Sequence, residues 1–241
     1  MKEKIEINNL LSFDELKIFQ NNDYFKFSLD SVLLPNFIRF TKNVNNILDL
    51  CTGNAPIPLI LSRKTNAKIY GVEIQKEVYD LACKSVKENN LEDRIEIIND
   101  DINNIFNRFE SDTFDIITCN PPYFETVETS IKNDNDIKTI ARHEVLMKLE
   151  DIFKISRKLL KNNGELYLIH RTNRLVDIMC LMRQYNIEPK RIRFVYPKED
   201  TTSNLMLIVG SKNGGKELEF MPPLYIHDNE GYTKEVLDMF S

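Results

Sequence analysis

Seven glycines in 241 residues is very few. A dinucleotide fingerprint needs three closely spaced glycines so that the backbone can approach a pyrophosphate, and no such cradle is expected here. No stretch approaches eighteen consecutive apolar residues, which excludes a membrane-spanning helix. The opening Met1-Lys2-Glu3-Lys4-Ile5-Glu6-Ile7 has no apolar run, so no secretory signal is expected. The cysteines Cys51, Cys83, Cys119 and Cys180 stand at neither zinc-ligand nor redox spacing. A metal site is therefore not anticipated, and a reducing cytoplasm is the expected location. Hydrophobic residues at 42% and charged ones at 29% exclude a disordered chain, and the length suits one full domain or one domain plus an appendage.

Charge is unevenly spread. From Lys154 to Lys198 eleven basic residues face three acidic ones, a local +8 in a chain of net −5. Such a stretch can steer a polyanion to one side of the molecule, or it can be the solvated faces of ordinary helices.

Short apolar runs alternate with helical patterns through the centre. Strands are predicted at Ile47–Leu50, Lys68–Val72, Ile95–Ile98, Phe114–Cys119 and Glu165–His170, with a closing pair at Ile192–Tyr196 and Leu205–Val209. Helices are predicted at Ile57–Arg63, Lys76–Asn89, Ile102–Phe109, Leu149–Leu160 and Asn173–Gln184, and Asn162-Asn163-Gly164 is the expected stop between the fourth of these and the fifth strand. This alternation predicts an α/β fold with an open, mostly parallel sheet covered on both faces. Ligands of such sheets sit at the carboxyl ends of the strands. The expected organisation is an N-terminal extension (1–40) on the site, a catalytic domain (41–212) and a tail (213–241) packed back on it.

Three strand ends carry polar residues in order. After the first come Asp49-Leu50-Cys51-Thr52-Gly53-Asn54-Ala55-Pro56 and after the second Glu73-Ile74, 24 positions beyond Asp49. An acid there is placed to accept from both ribose hydroxyls of a nucleoside. With a single glycine in the first loop, an adenosine ligand without phosphate fits best, and S-adenosylmethionine is the common one. Gly53 would allow close approach of its methionine part, with Asp49 and neighbouring main-chain groups on the ammonium. Asp101-Ile102, after the third strand, would accept from the adenine amino group and pack on its ring. The plain alternative is that Asp49 and Asp101 merely cap turns and helices.

After the fourth strand stands Asn120-Pro121-Pro122-Tyr123-Phe124. Two prolines cannot continue a sheet ladder and make a stiff loop. The Asn120 side-chain oxygen and the Pro121 carbonyl would accept two hydrogen bonds from an NH2 on an sp² carbon. They would turn its lone pair toward an electrophile held in line. Tyr123, with Phe124 nearby, would stack on an exposed base.

The first-loop motif, Glu73, Asp101 and Asn120-Pro121-Pro122-Tyr123 resemble the ordered motifs of amino-directed S-adenosylmethionine methyltransferases. With Phe25-Lys26-Phe27-Ser28-Leu29-Asp30-Ser31-Val32-Leu33-Leu34 and Ala141-Arg142-His143-Glu144, they resemble the bacterial valine-tRNA adenine-37 N6-methyltransferases over about residues 20 to 210. The resemblance implies a Rossmann-like class I methyltransferase with a seven-stranded sheet, S-adenosylmethionine as cofactor and tRNA as partner, with no obligate protein partner evident. It implies Asn120, Pro121, Pro122 and Tyr123 as catalytic residues. The cofactor set would be Asp49, Cys51, Gly53, Asn54, Ala55, Glu73, Ile74, Asp101, Ile102 and Asn120, and the substrate set Phe124, Arg142, His143, Arg171 and Arg174. Phe27 and Asp30 would close the pocket from the amino-terminal side. Ala55 departs from the second glycine of many relatives.

Three other readings stay open. A release-factor glutamine N5-methyltransferase uses a similar loop but places a long helical domain before the first motif, where 46 residues precede Ile47. A DNA adenine methyltransferase would need a target-recognition region that is not evident. A noncatalytic adenosyl-binding RNA chaperone would not need Asn120 or Tyr123.

Overall fold

The computed structural model describes residues 5–10, 13–21, 28–40, 43–122 and 149–240. The chain opens with a hairpin, β1 (Ile5–Leu10) and β2 (Phe13–Asn21), followed by α1 (Asp30–Phe37). Then come β3 (Asn46–Leu50), α2 (Pro56–Lys64), β4 (Lys68–Glu73), α3 (Lys76–Glu88), β5 (Ile95–Asn99), a 3-10 turn (Ile102–Asn107) and β6 (Phe114–Cys119). The second half holds α4 (Leu149–Leu159), β7 (Leu160–Arg171), α5 (Leu175–Gln184), β8 (Ile187–Tyr196), β9 (Leu205–Lys212), two-residue strands β10 (Glu219–Phe220) and β11 (Leu224–Tyr225), and α6 (Lys234–Asp238).

The main sheet runs β5-β4-β3-β6-β7-β9-β8, parallel except for β9, with β10 and β11 adding to the outer edge of β8. The expected seven-stranded, mostly parallel sheet is therefore present, enlarged by those two short pieces. Strand order reverses between β3 and β6, which puts the switch point, and the crevice it opens, at their carboxyl ends.

Period-two alternation builds two cores. Ile47, Ile69, Ile116 and Ile169 face α1, α2 and the end of α3, while Leu48, Leu50, Ile117 and Leu168 face α4 and α5. No helix among the described residues is long and apolar enough to cross a membrane.

Three features depart from the sequence reading. Asn162-Asn163-Gly164 does not separate a helix from a strand but sits inside β7 as a bulge, with Asn163 at φ +59° and the register shifting opposite Phe114–Ile116. A Cβ on Gly164 would lie 2.9 Å from the Lys161 carbonyl, so only glycine fits that bend. The hairpin was not anticipated. Its second strand turns its free edge to α3, where Lys17 N–H donates to Asn89 Oδ1 (2.9 Å) and Phe19 N–H to Ser85 Oγ (2.9 Å). The 3-10 turn ends at Asn107, short of the helix expected to Phe109.

At the far edge the final segment is tied to β8. The Arg193 guanidinium reaches Glu235 (2.6 and 2.8 Å) and the Pro222 carbonyl (3.0 Å), and Asn36 Nδ2 on α1 donates to the Met239 carbonyl (3.2 Å). These contacts cover what would otherwise be an open sheet edge.

Candidate active site

Asp49, Gly71 and Thr118 are register partners on the three central strands. Asp49 has no exposed surface, and its two oxygens accept from Thr52 Oγ1 (2.6 Å) and Thr118 Oγ1 (2.5 Å). Burial pushes its carboxyl up to about 7 against the opposing pull of those hydroxyls, with the nearby Glu73 charge adding to the rise. The carboxylate is sealed beneath the loop and acts on it through Thr52. Neither threonine was singled out in the sequence, although Thr52 lies three residues after Asp49.

The loop from Cys51 to Ala55 folds back tightly. Thr52 N–H donates to the Val72 carbonyl (2.9 Å), Ala55 N–H to the Thr52 carbonyl (3.0 Å), and Cys51, Gly53 and Ala55 all take left-handed φ values of +58°, +60° and +71°. At Ala55, directly before Pro56 at the start of α2, that geometry is costly for an L residue. Ala55→Gly is expected to stabilise the protein by roughly 0.5–1 kcal/mol, the strain removed less the added freedom of the unfolded chain. A denaturant midpoint equal to or below that of the parent would show that the loop is unstrained.

Glu73 closes the loop from β4. Its Oε2 accepts from Gly53 N–H (3.0 Å) and its Oε1 from Gln75 N–H (2.9 Å), and only 6% of its surface is exposed. Burial raises its pKa, with the backbone N–H groups opposing. A Cβ built on Gly53 meets nothing within 4 Å, so the loop opens on free space directly beside that carboxylate. Ile74, 37% exposed, stands next in line.

Asp101 caps the 3-10 turn, its Oδ1 accepting from Asn103 N–H (2.8 Å) and Nδ2 (3.0 Å). This is the capping role that the sequence reading weighed beside adenine binding. Ile102 beside it is buried.

Asn120 follows Cys119, whose register partners are Leu50 on β3 and Leu168 on β7, so it emerges beside the Cys51–Ala55 loop. Its Nδ2 donates to Ser31 Oγ (3.4 Å) on the first turn of α1. The contact turns the amide oxygen to the opposite side. Ser31 stood within the amino-terminal motif, but nothing in sequence linked it to a residue 89 positions on. Pro121 is buried and Pro122 exposed. Tyr123, Phe124, Arg142, His143 and Phe27 lie outside the described residues.

Arg171 and Arg174 lie where β7 ends, on the same edge of the sheet. Arg171 is exposed, and Arg174 Nε is paired with Asp177 (2.7 Å). His170, within β7 itself, is buried; desolvation and then the Arg174 charge hold it down at about 4, so it is neutral at physiological pH. The +8 stretch as a whole does not form one cationic face. Lys161 pairs with Asp115 at the opposite end of the sheet, Arg183 with Glu188 and Lys190 with Glu217, while Arg191 and Arg193 are buried against α1 and the tail. Of the eleven, only Arg171, Arg174 and Lys198 stand at the carboxyl edge, because charge summed along a chain takes no account of strand direction. Among the described residues no group of three or more His, Cys, Asp or Glu side chains could hold a metal ion.

A reversed-order parallel sheet with a buried acid closing a tight loop at its switch point defines a nucleoside-binding α/β protein of the Rossmann-like class. The family model for the methyltransferase small domain matches residues 29–185, and the chain belongs to that family. Two curated relatives are the tRNA1(Val) (adenine(37)-N6)-methyltransferases of Flavobacterium psychrophilum, 26% identical and covering 95% of this chain and 96% of theirs, and of Cytophaga hutchinsonii, 25% identical over 80% and 79%. Among solved structures, a predicted O-methyltransferase from Agrobacterium tumefaciens superposes with a TM-score of 0.70 at 19% identity, over 88% of this chain and 95% of that one. M. jannaschii TYW2 in complex with AdoMet gives 0.58 at 14% identity, over 88% and 86%.

Proposed function

We propose that this chain transfers a methyl group from S-adenosylmethionine to the exocyclic N6 of adenine 37 in a valine tRNA. The observation that carries the reading is the convergence at one switch point of the Glu73-closed loop and the Asn120-Pro121-Pro122 corner, in a chain of this family whose curated relatives bear that activity in their names.

The residues present fit the cofactor. Glu73 offers a buried carboxylate acceptor for ribose hydroxyls, Ile74 and Ile102 offer apolar surface for adenine, and Gly53 leaves room above its α-carbon. When bound, S-adenosylmethionine supplies an electrophilic methyl on a sulfonium. The chain's own contribution is orientation. Asn120 Oδ1 and the Pro121 carbonyl accept the two amine hydrogens, so that the amine lone pair, otherwise delocalised into the ring, faces along the line of transfer. Ser31 holds the Asn120 amide from its Nδ2 side. The positive charge passes from sulfur to the methylated amine, which gives up one proton to solvent, so no oxyanion-stabilising group is required. Tyr123 and Phe124 would stack on the base, which an anticodon loop can present unpaired where an A-form duplex cannot. Arg171 and Lys198, at the mouth of the same edge, are suited to backbone phosphates. A tRNA substrate is consistent with a cytoplasmic location.

The test is transfer of labelled methyl to unmodified valine tRNA, with nuclease mapping of the product, run beside a release-factor substrate. Label at adenine 37 is the expected result. Label only on release-factor glutamine would replace this reading with the amide-directed one.

A further inference from the structure

The proposed cofactor has a charged amino-acid end as well as a nucleoside, and Asp49 is sealed under Thr52 and Thr118. Among the described residues four buried side-chain atoms lack a hydrogen-bond partner: Gln20 Nε2, Arg94 Nε, Ser156 Oγ and Arg191 Nε. The two arginines bond through their other nitrogens, to the carbonyls of Ser62 and Thr65 and to that of Phe37. Ser156 lies on α4, across the sheet from the hairpin. Gln20 is different. It is 6% exposed, and an amide NH2 buried without an acceptor costs roughly 1–3 kcal/mol.

Its position gives that cost a purpose. Gln20 lies on β2 directly after Phe19, whose carbonyl accepts from Asn54 Nδ2 (2.9 Å), so the hairpin is stitched to the cofactor loop one residue away. Alternation along β2 puts its side chain on the face of Leu16 and Ile18, both buried, and therefore inward at the level of that loop. The loop leads into the amino terminus of α2, where first-turn N–H groups favour negative charge.

We infer that Gln20 is a cofactor-binding residue whose amide NH2 donates to the carboxylate of the cofactor's amino-acid end, making the amino-terminal hairpin a wall of the site. This rests on the methyl-transfer reading above. The hairpin is then more than an appendage: it is held on α3 and on Asn54, so that ligand binding and hairpin docking reinforce each other.

Calorimetric titration of the full chain with S-adenosylhomocysteine, which keeps the amino-acid end, and with methylthioadenosine, which lacks it, isolates the contact. Gln20→Leu is expected to weaken S-adenosylhomocysteine about ten- to a hundredfold, the range for a hydrogen bond to a charged group. Methylthioadenosine should shift less than twofold. The ligand-free variant should melt at or above the parent temperature, because an unsatisfied polar group has gone. A purely structural glutamine would do the reverse, lowering the melting temperature and leaving the two ligands equally affected. Either equal loss for both ligands or an unchanged S-adenosylhomocysteine affinity overturns the inference. Gln20→Met, closer in shape, carries the same expectation should the leucine variant fold poorly. A parent protein that binds neither compound would instead overturn the cofactor reading itself.

Discussion

Asn120→Ala should lower the single-turnover rate of methyl transfer to valine tRNA roughly 10²–10³-fold, about 3–4 kcal/mol of barrier, comparable to deleting one preorganised hydrogen-bonding group at other reacting centres. An adenine amine is a weak nucleophile because its lone pair belongs to the ring, and the proposed site has no strong base to compensate. Losing one of two acceptors removes the directional pull on that amine, while the Pro121 carbonyl keeps part of it. Folding should hardly change: Asn120 is only partly buried and its contact to Ser31 is long, at 3.4 Å. The melting temperature should therefore move by no more than a few degrees. Ser31→Ala should act in the same direction and more weakly, since it leaves the amide in place and removes one of its contacts. A rate for Asn120→Ala within threefold of the parent would refute the two-acceptor mechanism.

The second large effect is on stability against pH, and it comes from Asp49. Its carboxyl is raised in the folded protein to about 7 from an ordinary value of 3.8. The folded state thus holds the proton more tightly than the unfolded chain does. The resulting contribution is fully present below about pH 4, declines as pH rises, and is gone above about pH 7, where the folded protein carries a buried anion. The whole swing is roughly 4 kcal/mol, and roughly 2–3 kcal/mol of it should appear between pH 5 and 8.5. Glu73, raised in the same sense, adds to the trend. Asp49→Asn is neutral at every pH, and the Thr52 and Thr118 hydroxyls can turn to suit an amide. Denaturant melts of parent and variant across that window should show the stability of the parent, relative to the variant, falling as pH rises. A constant difference would mean that Asp49 titrates normally and is not sealed.

These two residues illustrate what each level of information can resolve. The place of Asn120 at the end of β6 was legible from its local motif alone, because two prolines cannot continue a sheet ladder. Asp49 was legible at the end of the first strand, but its burial was not. Whether a carboxylate faces solvent or lies beneath a loop depends on Thr118, 69 residues away on the neighbouring strand. Ser31 and Gln20 were out of reach for the same reason, since their partners are not sequence neighbours. The basic stretch misled because net charge ignores which end of the sheet each side chain occupies.

By itself the sequence determined the periodicities, and through them the strands, most of the helices, the parallel character of the sheet and the strand ends at which a ligand must sit. Those follow from local sterics and from burial of alternate residues, which any segment expresses in its own composition. Tertiary structure alone decided how the hairpin docks on α3, where the tail closes the β8 edge, that Asn162–Gly164 bends a strand instead of ending a helix, and which acids are buried. Each of these depends on hydrogen bonds and desolvation between segments brought together only when the chain has closed on itself, and no local pattern encodes that proximity.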